Sequence, residues 1–182
     1  MPRVIHLDWC VCSVKDFKVL ESAHAIVNPG VSIDSATTAA TRLTQATVER
    51  EGITFTDALE KLTRSIELTI GNGKYRVVSF GDWPVRYQMA LEALACGTAL
   101  PEKISAHFVN VLDLHYEQNS GPKGSATPVS TLEDLLRAND LEPIESETKA
   151  KTDGASLVRI LNRMIRTFKA RFDGQTSMAT TN

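Results

Sequence analysis

The chain has 182 residues, 42% of them hydrophobic and 23% charged, with a formal net charge of −2. That is enough for one domain burying roughly 70% of its unfolded surface; it excludes a strong overall field for nucleic acid or an acidic membrane, so any basic surface is local. No stretch approaches the ~20 apolar residues of a membrane span, the opening "MPRVIHLDWC" lacks the features of a leader, and Cys10, Cys12 and Cys96 make no framework for a secreted fold.

In chain order, "RVIHLDWCVC" (3–12) is rich in β-branched and aromatic residues and predicts a strand. "FKVLESAHAIVNPG" (17–30) predicts a second strand stopped by "NPG", and "SVKD" is short enough to make the two a hairpin. Small helical pieces follow over 35–50. "TFTDALEKLTRSIEL" (54–68) predicts a helix capped by Thr54 or Thr56, with Phe55, Leu59, Leu62 and Ile66 on one apolar face. "YRVVSF" (75–80) reads as a short strand, and "GDWPVRYQMALEALACG" (81–97) as a turn, a helix and a glycine stop. "HFVNVLDLHY" (107–116) reads as a strand, "NSGPKGSATPVS" (119–130) as a mobile loop, and "TLEDLLRAND" (131–140) as a helix with Thr131 near its cap. "KTDGASLVRILNRMIRTFKARF" (151–172) is the longest amphipathic segment, and "DGQTSMATTN" has no periodicity. A hairpin followed by alternating strands and helices predicts a mixed sheet with helices packed on it.

The ordered set of motifs resembles the DEDDh family of 3′–5′ exonucleases, and within it the Eri-type exoribonuclease branch. That family opens on a strand of the form D-F-E-A-T, and "Asp8-Trp9-Cys10-Val11-Cys12" occupies the place. "NPGVS" with "RLTQATVEREGITFTDALEKL" (42–62) is similar in order and spacing to the stretch that follows. "GDWP" (81–84) matches the branch's "GDWD", and residues 148–153 fill the place of a histidine five residues before an aspartate that heads a long helix. The resemblance runs over residues 3–170, and the order of the motifs carries it rather than any one of them.

The resemblance implies a ribonuclease H-like fold and a site in which four carboxylates hold two Mg2+ or Mn2+ ions about 4 Å apart, with a histidine as general base. Residue by residue, Asp8 matches the first carboxylate and Asp153 the fourth. Cys10 stands in place of a glutamate, Pro84 in place of an aspartate and Thr148 in place of the histidine. Positions 8 and 10 share one strand face, so the geometry of a carboxylate pair remains while its chemistry has changed. Magnesium prefers hard oxygen ligands to thiols, and a threonine hydroxyl is no base near neutral pH. The expectation is a degenerate site with no catalytic residue set intact.

Three further readings bear on activity. A register shift in "GDWP" would bring Asp82 to an Asp8–Asp82–Asp153 triad; the preferred reading makes Asp82 a helix cap with Pro84 in the first turn. His6, Asp8, Cys10 and Cys12 project from one strand face, but alternate strand residues spread too far for one tetrahedral site. His107 and His115 fall on a strand away from the family's histidine position and read as structural. For binding, Arg159, Arg163 and Arg166 form a basic stripe on the last helix, with Lys149 and Lys151 just before it and Lys169 and Arg171 after. Leu157, Ile160, Leu161, Met164 and Phe168 form the opposite face. The acidic run "LEPIESE" (141–147) opposes nucleic acid there. Trp9 and Trp83 are candidates for base stacking or for the core.

The reading is an α/β, ribonuclease H-like mixed sheet flanked by helices (the DEDDh exonuclease fold), with an exonuclease-like domain at 1–172 and a flexible C-terminal tail at 173–182. The expected role is a catalytically inactive module that binds RNA or single-stranded DNA, or scaffolds a protein partner, in nucleic-acid processing. The alternative is a divergent, metal-dependent 3′–5′ exonuclease using Mg2+ or Mn2+. The chain is expected in the reducing cytoplasm as a monomer or homodimer, with no membrane partner.

Overall fold

A computed structural model of the chain describes residues 3–119, 128–144 and 153–168. The proposed tail at 173–182, Thr148, Lys149, Lys151, Lys169, Arg171 and most of the 119–130 loop lie outside these residues.

Strand β1 (His6–Cys12) and strand β2 (Val19–Ile26) form the expected antiparallel hairpin, with Asp8 opposite His24 and Cys10 opposite Ser22. Its two faces differ because successive strand residues point opposite ways. Trp9 enters an apolar cluster with Val27, Phe55 and Leu59, while Asp8 and Cys10 face the start of the last helix. Two short helices, α1 (Ser35–Thr41) and α2 (Gln45–Glu51), lead to α3 (Phe55–Ile70). Thr54 rather than Thr56 caps α3: its hydroxyl accepts the Asp57 amide at 3.1 Å. Phe55, Leu59 and Ile66 are buried on its predicted apolar face, with Leu62 partly buried beside them.

Strand β3 (Val77–Ser79) pairs in parallel with β4 (Phe108–Asn110). Among the described residues the strands therefore form two ladders, one antiparallel and one parallel. Between β3 and β4 the helix predicted over 81–97 begins as a π-helical segment, Trp83–Met89, and becomes α4 (Ala90–Ala95); α5 (Glu102–Ser105) follows.

The strand predicted over 107–116 is a strand only to Asn110. There the chain turns into α6 (Val111–Asn119), with Val111, Leu114 and His115 buried at helical spacing. The Asn110 side chain drives the change. Its Oδ1 accepts the Leu112 amide and the Gly81 amide, each at 3.0 Å, offering the backbone a local alternative to the ladder. His115 accordingly belongs to a helix and not to a strand.

α7 (Leu132–Ala138) opens on a capping box made by Thr131 and Asp134. α8 (Asp153–Phe168) buries Val158, Ile160, Leu161 and Met164. Phe108 and Val109, neighbours on β4, go to different apolar clusters: one with α3 and the π segment, the other with α6, α7 and α8. The parallel ladder is thus covered on both faces, as parallel strands require.

Candidate functional site

Asp8 is half-buried in mid-β1. Its Oδ2 accepts the backbone N–H of Gly154, in the first turn of α8, at 3.2 Å. Burial pushes the carboxyl above its ordinary value, while the Gly154 hydrogen bond and the charge of His24 pull it back. The His24 ring stacks on His6 with centroids 5.6 Å apart. Two residues along the strand, the Cys10 thiol hydrogen-bonds to the Ser22 hydroxyl at 3.4 Å. Burial raises both the Cys10 and Cys12 thiols, and the Asp8 charge adds to the rise at Cys10. Both sulfurs are therefore protonated near neutral pH, when a thiol is a poor ligand and a poor nucleophile.

Asp153 is the exposed first residue of α8, adjacent in sequence to the amide that holds Asp8. The fold thus brings Asp8 and the start of α8 to one region. Asp82 heads the π segment in helical backbone conformation, and its side chain makes no capping hydrogen bond, so the expected cap is corrected. Its Oδ1 instead lies 3.5 Å from the Arg86 guanidinium. Asp113, on α6, is raised first by burial and then by the charge of Asp82, with Arg86 acting in the opposite direction. Pro84 occupies the first turn of the π segment.

Among the described residues no group of three or more His, Cys, Asp or Glu side chains is placed to hold a metal ion. Asp8 has the Gly154 amide and the Cys10 thiol close by, whereas a pair of divalent cations needs several anionic oxygens.

The binding candidates divide. Trp9 is 8% exposed and its indole N–H donates to Ser65 Oγ at 2.8 Å, with Lys61 over the ring. It is a core residue and not a stacking surface. Trp83 is 51% exposed and stacks on Tyr87, with centroids 6.0 Å apart and planes 30° apart. On α8, Arg159 donates to the Glu142 carbonyl at 2.8 Å and Arg163 to Asp140 Oδ2 at 3.1 Å, while Arg166 is exposed. His107 packs edge-on against Tyr75, and His115 is 3% exposed. Sequence reasoning missed Tyr87, Asp113 and Gly154. Tyr87 was within reach, four residues after Trp83 on a predicted helix; a helical glycine gives no such signal.

No family model matches the sequence, and no curated protein matches it. Solved structures do. A nuclease domain described as 3′hExo, a DEDDh family member bound to rAMP, aligns with TM-score 0.79 and 16% identity over 93% of this chain and 84% of its own. A 3′-exonuclease described in 3′-end-specific recognition of a histone mRNA stem-loop aligns with TM-score 0.78, and a full-length 3′-exonuclease with 0.77, each at 16% identity and over 93% of this chain. The chain spans only 58% and 55% of those two proteins. Likeness at this identity shows the fold: that of a DEDDh exonuclease nuclease domain.

Proposed function

We propose that the chain is a DEDDh-fold module, akin to the Eri-type branch, that binds single-stranded nucleic acid without hydrolysing it. The observation that carries this reading is that Asp8 accepts the Gly154 amide and has Cys10, not a carboxylate, two residues along the same strand, where two-metal hydrolysis needs several anionic oxygens. Two features support binding. Proteins with this fold are described with a histone mRNA stem-loop and with rAMP, and Trp83 with Tyr87 offers an exposed aromatic pair. Base–aromatic stacking contributes about 1–3 kcal/mol per base and tolerates any sequence. Of the α8 arginines, Arg163 faces Asp140 while Arg166 is exposed and open to a phosphate.

The test is fluorescence anisotropy with labelled single-stranded RNA and DNA, together with gels after incubation in Mg2+ or Mn2+. Binding should weaken linearly with log salt. Trp83→Ala should weaken it about tenfold, within the range for one stacked base, and the strand should stay intact. Shortening from the 3′ end that chelator and Asp8→Ala both abolish would favour the active exonuclease instead. Absence of binding to either strand would favour a protein scaffold.

A further inference from the structure

A half-buried carboxylate needs donors or a counter-charge to offset its lost hydration. At Asp8 one donor comes from far along the chain, the Gly154 amide at the head of a 16-residue helix. The first N–H groups of a helix have no partner within it and carry the positive end of its dipole. This amide therefore meets Asp8 with the sign of charge that a cation would bring. The approach is close because two small residues meet: a Cβ on Gly154 would stand 2.9 Å from Cys10 Sγ, 3.2 Å from Asp8 Oδ2 and 3.4 Å from the Cys10 amide. The Cys10 thiol, beside the helix, hydrogen-bonds to Ser22.

We propose that the head of α8 takes the place of a metal at Asp8, making the Asp8–Gly154 contact a structural latch that holds α8 on β1. Cys10 and Gly154 are the small pair that lets the latch close. The inference goes beyond the functional reading: whatever strand or partner the chain binds, Asp8 serves its stability. The two roles differ in a measurable sign. In a set of carboxylates awaiting cations, neutralising one relieves like-charge repulsion and stabilises the metal-free protein. In a latch, neutralising the acceptor weakens a charge-assisted hydrogen bond and destabilises it.

Thermal unfolding of the full chain decides between them, in chelator and then in millimolar Mn2+, for the parent, Asp8→Asn, Gly154→Val and the double variant. Asp8→Asn should lower Tm by roughly 4–8 °C in chelator. In the Gly154→Val background, where the latch is already open, most of that loss should vanish. Mn2+ should shift no Tm. An Asp8→Asn Tm equal to or above the parent's, additive losses, or an Asp8-dependent rise in Mn2+ overturns the proposal. Should Gly154→Val not fold, hydrogen exchange at the Gly154 amide replaces the cycle: at least tenfold faster exchange in Asp8→Asn supports the latch, and an unchanged rate overturns it. These measurements involve no nucleic acid, so their failure is distinct from a failure of the functional reading.

Discussion

His115 shows how one residue's surroundings set its chemistry. It is 3% exposed, and the Asn119 side-chain amide lies 3.2 Å from its Nδ1. An amide nitrogen only donates, so Nδ1 accepts and the ring is neutral. Burial holds its pKa below the ordinary histidine value. Below about pH 6.5 the unfolded chain takes up a proton that the folded ring resists. The stability from the neutral ring is therefore complete above that pH and is lost progressively as pH falls towards the folded value. The parent should lose Tm between pH 7.5 and 5.5, and His115→Gln should lose less. The difference between the two curves isolates this residue from Asp8 and Asp113, whose raised carboxyls act in the opposite sense at lower pH. A parallel pair of curves would refute the assignment. At this scale the sequence showed a cysteine at position 10 and a proline at position 84, because residue identity is what it records. It did not show that the Cys10 thiol is raised or that Trp9 is core, because both follow from burial.

Among the elements, α3 was read almost to its ends because its period, its cap and its breaker agree. Sequence left Thr54 and Thr56 as rival caps, and the hydrogen bond to the Asp57 amide selects Thr54. Thr54→Ala should cost about 1 kcal/mol, or a Tm fall of roughly 2–4 °C. Thr56→Ala should stay within about 0.5 kcal/mol, as for a surface change. Equal losses in urea unfolding would show that neither hydroxyl caps the helix. The stretch at 107–116 was misread for a definite reason. "HFVNV" is rich in β-branched and aromatic residues as a strand is, and an asparagine inside a short apolar run marks the turn only when its side chain bonds backward and forward at once. The π start of the helix after Gly81 was equally hidden: the exposed Trp83 and Tyr87 sit four residues apart, a spacing that α and π turns share.

At the scale of the whole molecule, the two apolar clusters on either side of β3 and β4 are joined by contacts between residues far apart in sequence. One is the ion pair of Arg3 with Glu92, at 2.7 Å, with Val4's amide also on the carboxylate at 3.3 Å. Glu92 is 1% exposed, so Arg3→Ala would leave a buried carboxylate nearly alone. Such losses run to about 3–5 kcal/mol. Arg3 is 32% exposed and water would replace part of its contribution, so about 2–3 kcal/mol is expected here. Chemical denaturation should show that loss for Arg3→Ala and a smaller one for Arg3→Ala with Glu92→Leu, where no charge is stranded. A double variant weaker than the single would contradict the buried-charge account. The sequence by itself determined the opening hairpin, the apolar faces of α3 and α8, the fold class and which residues stand at positions 10 and 84, because periodicity and identity are local properties. Only the tertiary structure decided which way Trp9 points, that Glu92 meets Arg3 and that Asp8 meets Gly154. Each of those depends on residues brought together from 56 to 146 positions apart, and such meetings are set by how the layers close, which no local pattern records.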